Sequence, residues 1–245
     1  MAIKEAVRSA YLSRSSRGRS PGGIKLPPSQ FRMGGKHFQT DAGFVSEARK
    51  DVARLLENGY SPSEPLLDWG CGAGRLAVGA LETLSNFVGY DGVDVQADLI
   101  RWAQRHIARP GVTFKWVDVS NARYNPRGTA QRVIPGGDGH YGTFYAYSVF
   151  SRMVTADVQG YLSEILRLLR PTGFAFVTAF VESDVAKETE NPQGYGPLVW
   201  RGPLHCVRSD LGYFTEMVER AGLRITGHQH GTETDGQSAM ILRPA

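Results

Sequence analysis

LLDWGCGAGR, residues 66–75, is the most informative stretch of the chain. Its two leucines open a short buried strand, and glycines at positions 70, 72 and 74 follow where that strand ends. Glycine permits a tight turn and lets backbone N–H groups approach a ligand closely. The apolar spacing of residues 76–84 then indicates a helix. The stretch therefore predicts a strand, a ligand-binding turn and a helix.

The rest of the chain repeats this alternation of strands and helices. Residues 174–181 are apolar apart from Thr178, which is typical of a strand buried on both faces, and residues 158–169 have clear helical spacing. We predict an α/β fold with a doubly wound, mostly parallel seven-stranded sheet, helices on both faces and an antiparallel C-terminal strand. In such a fold the ligand binds at the carboxyl ends of the strands. The predicted strands begin near 66, 87, 112, 143, 174, 223 and 238.

The positive charge of the chain is concentrated near its N-terminus. The 245 residues carry a net charge of +4, but residues 1–25 alone carry +5, so the remainder is nearly neutral. Residues 1–30 are also rich in Ser, Arg, Gly and Pro. We predict a basic arm at 1–30 and a single domain at 31–245. The arm is either a solvated tail or a segment that steers an anionic acceptor.

The composition argues against several classes of protein. Cys71 and Cys206 are too few for a disulfide framework and lie in no metal-binding spacing, so we expect a cytoplasmic protein without a metal site. The longest mainly apolar stretch, 174–181, is too short to span a bilayer. The N-terminus lacks the apolar region of a secretory signal, although an organelle transit peptide remains open.

Acidic residues end three successive predicted strands. They are Asp68, Asp94 and Asp118. Asp94 follows the last glycine of the turn by 20 residues, a spacing typical of an acid that binds ribose hydroxyls. A dinucleotide-binding turn would have glycine in place of Arg75, and Asp68 would repel a pyrophosphate. The pattern therefore favours a cationic ligand over NAD.

These motifs resemble those of the class I S-adenosylmethionine-dependent methyltransferases. The segment Asp68–Gly74 matches the family's DxGxGxG loop, and Tyr147–Met153 resembles its fourth-strand segment SVFTHM. Tyr161–Gly173 resembles the family's helix and turn, EI-RVLKPGG. The resemblance covers about residues 44 to 243 and implies S-adenosylmethionine as the cofactor.

The resemblance also implies which residues hold this cofactor. The glycine loop would wrap its methionine part, and Asp94 would bind both ribose hydroxyls. Asp118 would lie near the adenine amine, with Val119 as a backbone contact. The implied cofactor-binding residues are Asp68, Gly70, Cys71, Gly72, Gly74, Arg75, Asp94, Val95, Asp118, Val119 and Ser148.

The catalytic residues are less well defined by the sequence. Ser151 and Arg152 stand where the resembled segment has Thr-His, so a general base at that histidine would be missing. Polar loops near 120–142 and 182–209 are the expected substrate walls, because long loops in compact domains often carry function. Candidate catalytic residues in or beside these segments are His140, Ser151, Arg152, Glu182 and His205.

The predicted reaction is transfer of a methyl group by in-line displacement to a small-molecule or glycan acceptor, with oxygen favoured as the acceptor atom. A nucleic-acid acceptor is disfavoured, because the Asn/Asp-Pro-Pro-Tyr/Phe element of amino methyltransferases is absent after the fourth strand, where Ser148–Phe150 stands. Three alternatives stay open: a methyltransferase acting on RNA or protein, a non-catalytic S-adenosylmethionine-binding protein and, less favoured, an NAD-dependent oxidoreductase. The sequence leaves the acceptor, the general base and the oligomeric state undefined.

Overall fold

The computed structural model describes residues 18–129 and 133–245. Within these ranges a single sheet contains nine strands. The strands are β1 (Leu66–Trp69), β2 (Tyr90–Asp94), β3 (Val112–Trp116), β4 (Tyr141–Ala146), β5 (Leu169–Glu182), β6 (Glu188–Glu190), β7 (Val207–Asp210), β8 (Leu223–Glu233) and β9 (Gln237–Pro244).

The order of the strands is that of a doubly wound sheet. The central strand β1 lies between β2 and β4 and is parallel to both, and β3 and β5 extend the sheet in parallel on either side. At the far side β9 pairs antiparallel with β5, and β8 pairs antiparallel with β9. The order β3-β2-β1-β4-β5-β9-β8 confirms the predicted seven-stranded sheet with its antiparallel C-terminal strand.

Helices cover both faces of this sheet. Those of the described residues are α1 (Asp41–Glu57), α2 (Arg75–Thr83), α3 (Ala97–His106), α4 (Thr155–Leu168) and α5 (Leu211–Arg220). Apolar side chains of α1, α2 and α3 belong to one buried cluster, and those of α4 and α5 belong to a second. Leu66 and Leu67 are adjacent in β1 but fall in different clusters, as expected for a strand buried on both faces.

Part of the segment predicted as an N-terminal arm packs on the folded domain. Ile24 and Leu26 are buried in the cluster that contains α1, and Leu26 has no exposed surface. Ser20 donates a hydrogen bond to Glu82, which lies on α2. Apolar burial therefore includes at least residues 20–28 in the folded domain, and residues 1–17 of the predicted arm lie outside the described residues.

The segment predicted as a loop at 182–209 contains two short strands. β7 pairs with the last residues of β5, and β6 pairs antiparallel with β7. These strands escape sequence prediction because each has only three or four residues in a Gly- and Pro-rich stretch. The other segment, 120–142, leads into β4 at Tyr141, and residues 130–132 lie outside the described ranges.

The topology brings the carboxyl ends of β1, β2 and β4 to the same edge of the sheet. The glycine turn follows β1, the second predicted acid ends β2, and the segment after β4 lies beside them. None of the helices in the described ranges is long and apolar enough to cross a membrane.

Candidate functional site

The turn after β1 requires glycine for two different reasons. Gly70, Gly72 and Gly74 all have positive φ angles, of 80°, 54° and 85°, which side chains rarely adopt. A Cβ atom at Gly70 would also lie 2.3 Å from the side chain of Val149. Gly74 precedes the first residue of α2. The turn therefore presses against the segment after β4 and directs its backbone towards the open edge of the sheet.

Asp94 at the end of β2 holds this turn in place. One of its carboxylate oxygens accepts a hydrogen bond from the Gly72 amide at 2.8 Å, and the other accepts one from the Gln96 amide at 2.8 Å. The residue is 5% exposed, and this burial raises its pKa although both amide bonds oppose the rise. Each oxygen keeps further acceptor capacity, since a carboxylate has about four lone-pair positions.

Asp68 is a second buried acid, at the end of β1. It is 4% exposed and accepts a hydrogen bond from the Tyr90 hydroxyl at 2.6 Å. Burial raises the pKa of Asp68 to about 7, and the Tyr90 bond only partly opposes this. Within the described residues no Lys, Arg or His nitrogen lies within 4.0 Å of either Asp68 or Asp94. The charge of Arg75 lowers the pKa of Asp68 without forming an ion pair with it. Both carboxylates therefore remain able to pair with a cationic ligand.

A cleft at this edge of the sheet is bounded by most of the predicted cofactor residues. Those that line it are Asp68, Gly70, Cys71, Gly72, Arg75, Asp94, Val95, Val119 and Ser148. Gly74 faces away, where a Cβ would meet Ile107 and Phe114 at 3.0 Å. Ser148 has a φ of 58° and turns the chain after β4, which is why that strand ends at Ala146.

Asp118 lies beside the cleft rather than in its lining. Its side chain is exposed, and its carboxylate accepts a hydrogen bond from the Asn125 amide at 3.0 Å. The next residue, Val119, is buried and faces the cleft, together with Ser120 and Asn121. The structure therefore directs Asp118 towards its own loop.

Arg75 is fixed by a buried ion-pair network. Its Nε atom lies 3.1 Å from Asp51, which has no exposed surface and also pairs with Arg54 at 2.8 Å. Arg54 in turn lies 2.9 Å from Glu233 in β8. The guanidinium of Arg75 stacks over the ring of Tyr147 at 4.9 Å. The network joins α1, α2 and the C-terminal hairpin below the cleft.

Two predicted catalytic residues lie away from the cleft. His140 is exposed and immediately precedes β4, so it lies at the amino end of a parallel strand, opposite the ligand edge. Glu182 ends β5, but its carboxylate accepts a hydrogen bond from Tyr195 at 2.9 Å and lies 3.4 Å from His230. Neither side chain lines the cleft.

The other three candidates lie near one another, but only one faces the cleft. Ser151 is completely buried and outside the lining, as is the partly buried His205, whose Nδ1 accepts a hydrogen bond from the Arg201 amide at 3.0 Å. Burial lowers the pKa of His205, and the charges of Arg123 and Arg152 lower it further. Arg152 lines the cleft.

A segment before α1 covers one side of the cleft and was missed by sequence reasoning. Phe31, Met33 and Phe38 line the cleft from this segment. Arg32 anchors it by donating hydrogen bonds to the Pro27 carbonyl at 2.8 Å and the Gln39 carbonyl at 3.0 Å. The apolar residues here have no strand or helix period. The only available signal is the presence of aromatic side chains in a Gly-rich stretch.

A family model described as a methyltransferase domain matches residues 67–175. This region runs from β1 into β5 and contains the glycine turn, Asp94 and the segment after β4. The match confirms the resemblance to class I S-adenosylmethionine-dependent methyltransferases over these residues, which are less than half of the chain. The cofactor that this resemblance implies is S-adenosylmethionine.

One curated relative is the 2-heptyl-1-hydroxyquinolin-4(1H)-one methyltransferase of Mycobacteroides abscessus. It is 24% identical over 148 residues, which make up 60% of this chain and 60% of the relative. The match thus spans less than two thirds of the relative's length.

Two solved structures have the same fold. The 1,6-didemethyltoxoflavin-N1-methyltransferase of Burkholderia thailandensis, solved with its substrate and S-adenosylhomocysteine, has a TM-score of 0.55 and 16% identity. The alignment covers 100% of this chain and 89% of that one. The cyclase SpnF has a TM-score of 0.57 and 17% identity, and the alignment covers 81% of each chain. A cyclase among these structures means that the fold alone does not define the reaction.

Proposed function

We propose that this protein is a methyltransferase that moves a methyl group from S-adenosylmethionine to a small molecule, at an oxygen atom. The observation that carries the proposal is the pair of buried acids, Asp68 and Asp94, which line a cleft beside the glycine turn and form no ion pair with a basic side chain of the described residues. This arrangement suits a ligand that combines positive charge with ribose hydroxyls. It disfavours NAD, whose pyrophosphate is negative.

Each part of the cleft has a distinct role in this proposal. The remaining lone pairs of Asp94 accept the ribose hydroxyls, and Asp68 provides negative charge near the cationic end of the cofactor. Val119 and Asn121 line the adenine side, with Asp118 contributing only if it turns away from Asn125. The bound cofactor supplies an electrophilic methyl group on a sulfonium.

Apolar and aromatic side chains surround the rest of the cleft. They include Phe31, Phe38, Tyr124, Tyr147 and Met153. This surface suits a small aromatic acceptor, and the Mycobacteroides relative is named for a hydroxylated quinolone. A hydroxyl on such a ring is acidic enough that holding it in line with the methyl group supplies much of the rate enhancement. The residues that hold the acceptor therefore contribute mainly by positioning it.

A matched pair of acceptors tests both the activity and the acceptor atom. The purified protein is incubated with methyl-labelled S-adenosylmethionine and either 2-heptyl-1-hydroxyquinolin-4(1H)-one or 2-heptylquinolin-4(1H)-one, and the products are identified by mass spectrometry. We expect label on the N-hydroxyl oxygen of the first compound only. A wider panel of phenols and aromatic amines follows if neither reacts. Label on nitrogen or carbon would contradict the oxygen assignment. S-adenosylmethionine binding with no transfer to any acceptor would favour the binding-protein alternative.

The raised pKa of Asp68 predicts that cofactor affinity depends on pH. With a pKa of about 7 in the free protein, Asp68 is mostly protonated at pH 6 and mostly ionised at pH 8. If the complex requires the ionised form, S-adenosylmethionine affinity rises about tenfold between these values. Calorimetry in buffers of different ionisation enthalpy counts the proton released. Asp68→Asn should remove the pH dependence of S-adenosylmethionine affinity that is due to Asp68. A pH profile in this variant that matches the wild-type profile would contradict the prediction.

A further inference from the structure

Arg152 lines the cleft at a place where four loops meet. It ends the short 3-10 turn Phe150–Arg152, directly after β4, and its backbone carbonyl accepts a hydrogen bond from the Asn121 side chain at 3.0 Å. Its charge interacts with Tyr124 in the loop after β3, Cys206 before β7 and Asp235 in the β8–β9 hairpin. Its surroundings thus combine both predicted substrate loops with the C-terminal hairpin.

The guanidinium of Arg152 lacks the partners that a buried cation needs. The residue is 9% exposed, and its Nε and Nη1 atoms are buried without a hydrogen-bond partner. Within the ranges that the structure describes, no carboxylate oxygen lies within 4.0 Å of it. Buried polar groups in native proteins are almost always hydrogen-bonded, and an unpaired buried cation is strongly unfavourable. The two unused donors therefore indicate a place for an external acceptor group.

The charges around Arg152 favour an anion in that place. Burial lowers its pKa, and the neighbouring cation Arg123 lowers it further, whereas Tyr124, Cys206 and Asp235 raise it. Arg123 itself is held by donating hydrogen bonds to the carbonyls of Arg201 at 3.5 Å and Pro203 at 3.3 Å. His205 also lies within the electrostatic range of both arginines. Asp235 is the acid that faces this group, and it forms no close ion pair with Arg152.

We propose that Arg152 binds an anionic oxygen group of the acceptor, such as an ionised ring hydroxyl, a carboxylate or a phosphate, and so favours anionic small molecules. A guanidinium presents paired donors in a fixed plane that matches such groups. The proposal rests on the proposed function, since it assigns the substrate side of the same cleft. It also gives a role to the arginine that replaces histidine in the SVFTHM-like segment. Arg152 and Asp68 both line the cleft, so the anionic acceptor and the cationic cofactor would bind to opposite charges.

Small aromatic anions and a neutral analogue test this proposal. Binding of benzoate, phenyl phosphate and benzamide is measured by calorimetry, with and without S-adenosylhomocysteine. In the wild-type protein we expect at least one anion to bind about tenfold or more tightly than benzamide. The stronger of the two anions identifies the group as carboxylate or phosphate. Equal binding of all three compounds would overturn the proposal.

Variants separate the role of Arg152 from general effects. Arg152→Gln should lose the anion preference, Arg152→Lys should keep part of it, and Arg127→Gln, an exposed control on the loop after β3, should keep all of it. S-adenosylhomocysteine affinity should stay within about threefold in all three. An unchanged anion preference in Arg152→Gln would refute the proposal. A loss of S-adenosylhomocysteine affinity with the anion preference kept would also refute it, because Arg152 would then belong to the cofactor site. Failure of the wild-type protein to bind S-adenosylhomocysteine would instead contradict the proposed function, while the anion series without that ligand still tests Arg152.

Discussion

Asp94→Ala should weaken S-adenosylmethionine binding by about 100-fold or more. In our proposal Asp94 accepts two ribose hydroxyls, and a hydrogen bond to a charged group contributes about 1.5–3 kcal/mol, so their joint loss exceeds the roughly 2.7 kcal/mol that a 100-fold change represents. The substitution also leaves the buried Gly72 and Gln96 amides without their acceptor. Both effects weaken cofactor binding, because the turn that carries Gly72 lines the cleft.

Calorimetric titration with S-adenosylmethionine and S-adenosylhomocysteine measures this effect. Asp118→Ala is the matched control, since Asp118 also follows a strand end but is exposed and hydrogen-bonded to Asn125. We expect Asp118→Ala to change affinity by less than about threefold. Thermal unfolding of both variants without ligand separates loss of the binding groups from loss of the fold. Equal affinities in the two variants would contradict the assignment of Asp94 to the ribose.

The central parts of the fold were predictable because their signals are local. The glycines at 70, 72 and 74 are needed by the backbone of the turn itself, and their positive φ angles agree with that requirement. The mainly apolar stretch at 174–181 is buried on both faces of the sheet, as its composition indicated. Asp94 was predictable because the length of one strand–helix–strand unit fixes its distance from the turn.

Side-chain direction and strand polarity explain most of what the sequence did not reveal. Asp118 and Val119 are adjacent, but the backbone directs one to its own loop and the other to the cleft. His140 lies next to β4 in sequence but at its amino end, where the chain enters the sheet. The segment around Phe38 reaches the cleft through long-range packing, since its ring lies under the guanidinium of Arg75 at 4.6 Å. A single sequence gives no direct signal for such tertiary contacts.

Arg75→Met should lower the free energy of unfolding by about 3 kcal/mol. The substitution leaves the completely buried Asp51 with Arg54 as its remaining close cation, and removing one partner of a buried ion pair typically costs 3–5 kcal/mol. Arg54 keeps the loss at the lower end of that range. Urea unfolding measures the change. Arg101→Met is the control, because Arg101 pairs with Asp98 on the exposed face of α3, and it should cost less than about 0.5 kcal/mol.

The pH dependence of this loss identifies Asp51 as its cause. Burial raises the pKa of Asp51, and the charge of Arg75 opposes that rise. Without Arg75 the pKa of Asp51 in the folded protein rises further above its unfolded value, so stability falls as pH increases towards the new folded pKa. The deficit of Arg75→Met should therefore be larger at pH 8 than at pH 5. Asp51→Asn/Arg75→Met should recover about 1 kcal/mol or more at pH 8, because it removes the buried charge. If the deficit did not depend on pH and the second substitution recovered nothing, the loss would come from apolar packing around Phe38 and Tyr147 instead of from the ion pair.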